Sequence, residues 1–140
     1  MPSDTREVYF EGVHCNLAIE RRSPQVVLMT IGGTDVGEFG DAPMNALKEW
    51  INGSSEVDLF IDARDVRGAS VEVSGDWAGW LNAHKPFLRS VTMLTGSRFI
   101  HVTAEFVRRF ARLEGSMRIC TDPAVFEQML RETNQASGRR

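Results

Sequence analysis

Apolar and polar positions alternate with a period of two near the start of the chain. The apolar positions of this alternation are Val13, Cys15, Leu17 and Ile19. Such a period is typical of a strand with one buried face, and we expect that strand to begin as early as residues 8–10. Residues 25–31 are nearly all apolar or β-branched, as an interior strand requires. Because residues 21–24 supply a polar turn between the two runs, the pattern predicts an antiparallel hairpin.

The rest of the chain places short apolar runs between segments with apolar positions at helical spacing. Strands are predicted at residues 57–61, 90–94 and 117–120, and helices at residues 41–51, 75–84, 103–113 and 122–132. We expect Asn52–Gly53 to end the first helix, Ser74 to cap the second and Thr103 to cap the third. Strands separated by helices become parallel neighbours through right-handed crossovers. The chain is therefore predicted to be an α/β protein with the order ββαβαβαβα, about five strands, the first antiparallel, and about four helices.

Two apolar stripes decide which helix faces are predicted to be buried. On the predicted second helix, Trp77, Trp80, Leu81 and His84 share one stripe. On the predicted third helix, the inward positions are expected to be Phe106, Val107, Phe110 and Leu113. The stripe of the third helix is predicted to pack against the sheet, whereas two roles stay open for the stripe of the second: sealing the helix onto the sheet, or lining a groove for a ligand or partner.

Length and composition fit one folded unit. A chain of 140 residues with 42% hydrophobic residues can bury a substantial core. We expect a single domain over residues 8–132, with loose tails at residues 1–7 and 133–140. The N-terminus lacks the apolar core of a signal peptide, and no apolar run approaches the ~18 residues of a membrane-spanning helix. A cytoplasmic protein without a membrane span is the resulting expectation.

Charge and cysteine usage exclude some classes of partner. The net charge of −3 argues against nucleic-acid binding, which usually needs a basic surface. Cys15 and Cys120 lie in different predicted strands and have no metal-like spacing, so we expect two reduced thiols and no metal site.

Two segments carry a family resemblance. They are Leu-Phe-Ile-Asp-Ala-Arg-Asp-Val-Arg-Gly at residues 59–68 and Thr-Asp-Pro-Ala-Val-Phe-Glu-Gln-Met-Leu at residues 121–130. Together with the order of elements, they make residues 13–130 resemble the SpoIIAA-like, STAS-type bacterial domains, which are also described as STAS/SEC14 or CRAL-TRIO-like. The resemblance implies a STAS-like fold and a non-catalytic role in regulation or protein interaction, with a regulatory kinase or an anti-sigma-type factor as partner.

The resemblance also implies candidate phosphorylation sites. In anti-sigma-factor antagonists of this fold, the loop after the Asp-containing strand carries an Asp-Ser-Ser-Gly-like segment whose serine is phosphorylated. This chain has Gly68-Ala69-Ser70 and Val73-Ser74-Gly75-Asp76 in that region, and neither copies the segment. Ser70 and Ser74 are the positions that would replace the modified serine, and a helix cap is the alternative role of Ser74.

The candidate site is the predicted loop at residues 62–73 together with the helix that follows it. Ligands and partners of open α/β sheets usually meet the carboxyl ends of the parallel strands. The residues predicted to form a partner or ligand surface are Asp62, Arg64, Asp65, Ser70, Ser74, Trp77, Trp80 and His84. The alternatives are that the carboxylates only make local ion pairs with arginines, and that the two Trp residues only seal the helix onto the sheet.

Three functions remain open. The first is a protein-interaction module that acts through this surface. The second is a carrier or sensor of a small apolar molecule, with an apolar pocket of roughly several hundred Å³ formed by Trp77, Trp80, Phe87, Met93 and Phe106. The third, an enzyme, is disfavoured because the histidines are scattered and no motif places a nucleophile beside a base. We therefore expect no catalytic activity and no cofactor, and a homodimer through the exposed first strand stays open.

Overall fold

The computed structural model describes residues 7–51 and 56–138, which form a six-stranded sheet with four helices. The strands are β1 (Glu7–Glu11), β2 (Cys15–Ser23), β3 (Val26–Asp35), β4 (Val57–Ala69), β5 (Leu88–Thr95) and β6 (Met117–Cys120). The helices are α1 (Ala42–Ile51), α2 (Val71–His84), α3 (Arg98–Phe110) and α4 (Pro123–Gly138), with a 3-10 turn at Lys85–Phe87. Residues 1–6 of the predicted N-terminal tail and the predicted helix end at Asn52–Gly53 lie outside the described residues.

The strands lie in the sheet in the order of the chain. β2 is antiparallel to both of its neighbours, β1 and β3, and β3, β4, β5 and β6 are parallel. The predicted mixed α/β architecture is confirmed, with one more strand than the sequence indicates. The additional strand is β1, because the chain reverses at residues 12–14 instead of continuing into β2. The Glu38 carboxylate stabilises that reversal by accepting hydrogen bonds from the backbone N–H groups of Val13 and His14, each at 3.0 Å.

The two faces of the sheet carry different helices. Successive side chains of a strand point to opposite faces. Met29 and Ile61 share one core with side chains of α1, α2 and α3, whereas Leu28 and Phe60 share a second core with Phe126 of α4. Right-handed crossovers that all advance in one direction place their helices on the same face. The sheet is therefore covered by α1, α2 and α3 on one face and by α4 on the other.

The strand β4 is longer than its apolar run. The predicted loop at residues 62–73 is wrong, since β4 continues to Ala69 and pairs with β3 as far as Asp35. Ala63 and Val66 are buried within this extension. Its polar residues resemble a loop in sequence, but the hydrogen bonds to β3 hold it as a strand.

The helices α2 and α3 begin earlier than predicted. Ser70, not Ser74, caps α2, because its Oγ accepts a hydrogen bond from the backbone N–H of Val73 at 3.1 Å. Likewise Ser97, not Thr103, caps α3 by accepting from the N–H of Ile100 at 3.2 Å. The stripe of α3 that packs against the sheet and α2 is formed by Ile100, Ala104, Val107 and Ala111. The prediction that Phe106 and Phe110 point inward is therefore wrong.

The cap assignment predicts unequal effects for the two serines. We expect Ser70→Ala to lower the free energy of unfolding by about 1 kcal/mol, because one N–H at the start of α2 loses its acceptor. Ser74→Ala is expected to change it by less than about 0.5 kcal/mol, since alanine has a higher helix propensity than serine. The Ser74 hydroxyl donates only to the carbonyl of Ser70, an acceptor that the backbone N–H of Ser74 already uses. Urea denaturation of both variants measures the difference, and a larger loss for Ser74→Ala would contradict the assignment.

The last helix also extends beyond its predicted end. α4 runs to Gly138 and contacts the antiparallel strand β2 as well as the parallel strands β3 to β6. The prediction of a loose tail at residues 133–140 is therefore wrong for residues 133–138, and Ser137 is buried. Packing across the sheet stabilises this polar segment as a helix, whereas its composition alone resembles a frayed end.

Candidate functional site

The predicted site residues do not form one surface. Asp62 and Arg64 lie on the face of the sheet that α4 covers. Arg64 Nε donates to Asp62 Oδ1 at 3.0 Å, and Arg64 Nη2 donates to Glu127 of α4 at 2.9 Å. These hydrogen bonds to two carboxylates raise the pKa of Arg64. The cluster connects β4 to the start of α4, which supports the alternative of a local ion pair, and Asp65 is exposed nearby.

The other predicted residues belong to α2, on the opposite face. Ser74 is buried, and Trp77 is partly buried against the sheet. The Trp80 ring stacks on His84 with ring centroids 4.2 Å apart, and His84 Nδ1 lies 2.9 Å from the carbonyl oxygen of Trp80. The predicted surface from Asp62 to His84 is therefore divided by the sheet into two separate groups.

A small apolar cavity lies between the sheet, α2 and α3. Its volume is about 80 Å³. The lining side chains include Ile31, Ile61, Val66, Trp77, Leu81, Met93, Ile100 and Val107, and the few residues with polar side chains are Asp35, Ser74 and Thr103. The predicted volume of several hundred Å³ is too large, because both helices pack directly on the sheet. Trp77 and Met93 line the cavity as predicted, whereas Trp80, Phe87 and Phe106 do not.

A second cavity of about 80 Å³ lies next to the first, at the connection between β3 and α1. The two cavities share Asp35, Val73 and Trp77 as lining residues. The second is more polar, with the carboxylates of Asp41 and Asp76 beside it. We refer to it as the acidic mouth.

The helix α3 presents an apolar stripe to the outside, and it includes Phe106 and Phe110, the two side chains predicted to point inward. Its members and exposed fractions are Phe99 (61%), Val102 (58%), Phe106 (44%) and Phe110 (63%). The spacing of three, four and four residues keeps them on one helix face, and the rings of Phe106 and Phe110 are 5.3 Å apart. We call these four side chains the α3 surface. The signal that could have found it is a competing apolar stripe at helical spacing, formed by Ile100, Ala104, Val107 and Ala111.

Two basic residues of α3, Arg98 and Arg109, lie along one edge of the α3 surface, and Arg112 lies in the turn after the helix. Arg98, Arg109 and Arg112 are exposed, and none of them forms an ion pair with any residue in the described part of the chain. Arg108 lies 3.8 Å from Glu105 and is partly neutralised. The outer side of α3 is thus apolar along its centre and positively charged along one edge.

The thiol of Cys15 and the hydroxyl of Thr95 are both buried in the described part of the chain. Burial is the main cause that raises the pKa of Cys15 to about 11, so this thiol stays protonated at neutral pH. His101 Nδ1 lies 3.4 Å from Thr95 Oγ1, but Thr95 is buried. Within residues 7–51 and 56–138, no three His, Cys, Asp or Glu side chains are grouped as metal ligands would be. None of the helices described has the length and apolar content that crossing a bilayer requires.

Comparison with known proteins identifies the fold. No protein-family model matches the chain, and no curated protein is similar to it. Among solved structures, an uncharacterized protein of the DUF3478 family from Shewanella loihica PV-4, described as having a SpoIIAA-like fold, superposes with a TM-score of 0.62. The two chains are 17% identical, and the match covers 86% of this chain and 98% of the other. The chain therefore has a SpoIIAA-like, STAS-type fold, which confirms the resemblance seen in its sequence at the level of the fold.

Proposed function

We propose that this protein is a non-catalytic SpoIIAA-like domain that binds a partner protein through the α3 surface. The observation that carries the proposal is the exposure of four large apolar side chains on one face of α3, at Phe99, Val102, Phe106 and Phe110. Contiguous exposed apolar patches of this kind are typical of interaction sites.

The core does not need these four side chains. The inward stripe of α3 already fills the space above the sheet with Ile100, Ala104 and Val107, all of them buried. Removing apolar surface from water stabilises a protein by about 25 cal/mol for each Å². The exposed rings of α3 do not gain this energy within the chain. Burial against another molecule would recover that energy.

The charge around the α3 surface indicates the chemistry of the partner. Unpaired Arg98 and Arg109 at one edge, together with Arg112 in the turn after α3, favour a partner whose contact surface is apolar and has carboxylates on its rim. Charge pairs at such a rim steer association and set orientation more than they add affinity. The partner is therefore expected to bind more slowly at high salt.

Of the two serines considered as phosphorylation sites, Ser70 is the better candidate for regulation. The Ser74 hydroxyl is buried, so a kinase would need α2 to open. Ser70 is only partly buried at the start of α2, where N–H groups and the helix dipole favour a phosphate.

The binding proposal is tested by crosslinking followed by direct measurement. A photo-crosslinking residue placed at position 106 should capture a partner in cells that the same residue at Gln128 of α4 does not capture. With that partner purified, Phe106→Ser combined with Phe110→Ser should weaken binding at least tenfold, because truncating central aromatic side chains removes the largest contributions to an interface. Isothermal titration calorimetry measures the change.

Val125→Ser is the matched control, because Val125 is 48% exposed on α4, close to the 44% of Phe106. The control should bind the partner as the unmodified protein does, and all variants should keep their thermal stability because the replaced side chains are exposed. If the double variant binds the partner as tightly as the unmodified protein does, the proposal is wrong. If the crosslinker captures a second copy of the chain, the α3 surface is a dimer interface and the proposal of a different partner protein fails. If the protein sediments with anionic lipid vesicles only when Phe106 and Phe110 are present, the surface binds membranes and the proposal fails in the same way.

A second function is supported by the apolar cavity between α2, α3 and the sheet. We infer that it accepts a small apolar group, since a void lined by apolar side chains stays dry and can bind such groups. An engineered cavity of about 150 Å³ holds benzene, so a volume of about 80 Å³ suits a few carbon atoms.

A further inference from the structure

We propose that the apolar cavity and the acidic mouth together bind a small organic cation, an amine or quaternary ammonium ion that carries a short apolar group. This inference rests on the second function above, ligand binding in the cavity, and adds the charge of the ligand. The apolar group would occupy the inner cavity, and the cationic group would lie in the mouth.

The two cavities are placed to hold two parts of one molecule. Both are lined by Asp35, Val73 and Trp77, so the two cavities adjoin at these side chains. The inner cavity is almost wholly apolar, and the mouth adds carboxylates and the Phe39 ring. A ligand that fits the apolar cavity and the acidic mouth together has an apolar end and a positively charged end.

The carboxylates of the mouth are not neutralised by the protein. Asp35 is nine-tenths buried, and its Oδ1 accepts one hydrogen bond from the N–H of Gly37 at 3.1 Å. Its other oxygen has no donor among the described residues, and in the same part of the chain neither Asp41 nor Asp76 forms an ion pair. The second Asp35 oxygen therefore keeps its capacity to accept a hydrogen bond from a bound ammonium group.

Neighbouring groups report the same negative potential. After burial, the charges of Asp35 and Glu38 are the next causes that raise the pKa of Cys15. Glu38 itself is held beside β2 by the N–H groups of Val13 and His14. This side of the fold therefore disfavours anions and favours cations.

Aromatic rings supply the second feature that selects a cation. Trp77 and Phe39 both line the mouth. The face of an aromatic ring attracts ammonium ions through its quadrupole, most strongly for Trp. Carboxylates and aromatic rings around one small opening are the combination by which proteins recognise organic cations, whereas a carboxylate ligand would meet repulsion at every acidic side chain.

Three probes of equal length test the inference by NMR titration: n-butylammonium, n-butanol and butyrate. n-Butylammonium and n-butanol share a butyl chain, butyrate carries a propyl chain on its carboxylate, and the three differ in charge. We expect n-butylammonium to bind at least tenfold more tightly than n-butanol, and butyrate to bind more weakly than both. The preference of the protein for n-butylammonium should fall several-fold in Asp76→Asn and in Asp41→Asn, and it should be unchanged in Asp65→Asn, which replaces an exposed carboxylate of β4 outside the mouth.

The outcomes separate this inference from the function on which it rests. Equal binding of n-butylammonium and n-butanol would leave ligand binding intact and overturn the cation preference. Tightest binding by butyrate would also overturn it. If none of the probes shifts the resonances of Ile61, Trp77 or Ile100, the cavity binds no small apolar group and the second function fails as well. Because Asp41 and Asp76 are exposed, the variants should fold, and their amide spectra verify this.

Discussion

Gly33→Ala is expected to lower the free energy of unfolding by about 3 kcal/mol or more. Gly33 has φ of +85°, a conformation that costs other residues about 1–2 kcal/mol. A Cβ at this position would also lie 2.3 Å from the backbone carbonyl oxygen of His14, which belongs to the reversal between β1 and β2. Because backbone cannot move aside as a side chain can, the clash adds to the conformational cost. Urea denaturation followed by Trp fluorescence measures the loss.

Gly68→Ala is the matched control at the same end of the sheet. The nearest atom to a Cβ on Gly68 is Thr34 Cγ2 at 3.5 Å, an ordinary van der Waals contact, and the φ angle of Gly68 is not positive. We expect a change within about 1 kcal/mol for this variant. A similar loss in both variants would mean that the backbone at Gly33 does not require glycine.

Arg89→Met is expected to lower the free energy of unfolding by about 3 kcal/mol. Asp58 is 4% exposed, and its carboxylate is held by the guanidinium of Arg89 and by the hydroxyl of Ser90 at 2.6 Å. The carboxylate raises the pKa of Arg89, which keeps the arginine charged. Removing one partner of a buried ion pair leaves a buried charge uncompensated, and this costs about 3–5 kcal/mol. The partial exposure of Arg89 places the expected loss at the lower end of that range.

Two further variants isolate the charge from the packing. Methionine keeps most of the arginine stem, so the loss in Arg89→Met reports on the charge. Adding Asp58→Asn should recover part of the lost stability, because the buried charge is then removed as well. Arg22→Ala, which breaks the exposed pair with Glu20, should change stability by no more than about 1 kcal/mol. No recovery in the double variant would show that Asp58 is not a buried charge of this kind.

The helix α3 contributes side chains to both proposed binding sites. Thr103 and Val107 of α3 line the apolar cavity, and Phe106 of the same helix belongs to the α3 surface. A ligand that fills the cavity would therefore stabilise the helix that carries the partner surface, and by linkage partner binding would favour the ligand.

Much of the fold could be predicted because its signals are local. The apolar strand at residues 57–61, the alternation from Val13 to Ile19 and the helical spacing in the later segments each depend on neighbours within a few positions of the chain. The parallel arrangement followed from the order of strands and helices alone. The pairing of Asp62 with Arg64 could also be predicted from the sequence, since the two residues are close in the chain.

The errors arose where a residue depends on partners distant in the chain. Asp62 to Ala69 reads as a loop because it is polar, and it is a strand because β3 supplies the hydrogen bonds. The face that α3 buries is decided by its packing against β4, β5, β6 and α2, which turns Ile100, Ala104 and Val107 inward and leaves Phe106 and Phe110 outside.

The sequence by itself determined the class of fold, the order of its elements and most of its core, because hydrophobic period and turn chemistry are local properties. The tertiary structure alone decided that Asp62 and Trp77 lie on opposite faces of the sheet. It also decided that the cavity is small, that Asp35, Asp41 and Asp76 share one opening, and that α3 exposes its aromatic stripe. Each of these depends on how elements distant in sequence pack together, because a side chain's neighbours across the sheet are set by pairing and helix rotation.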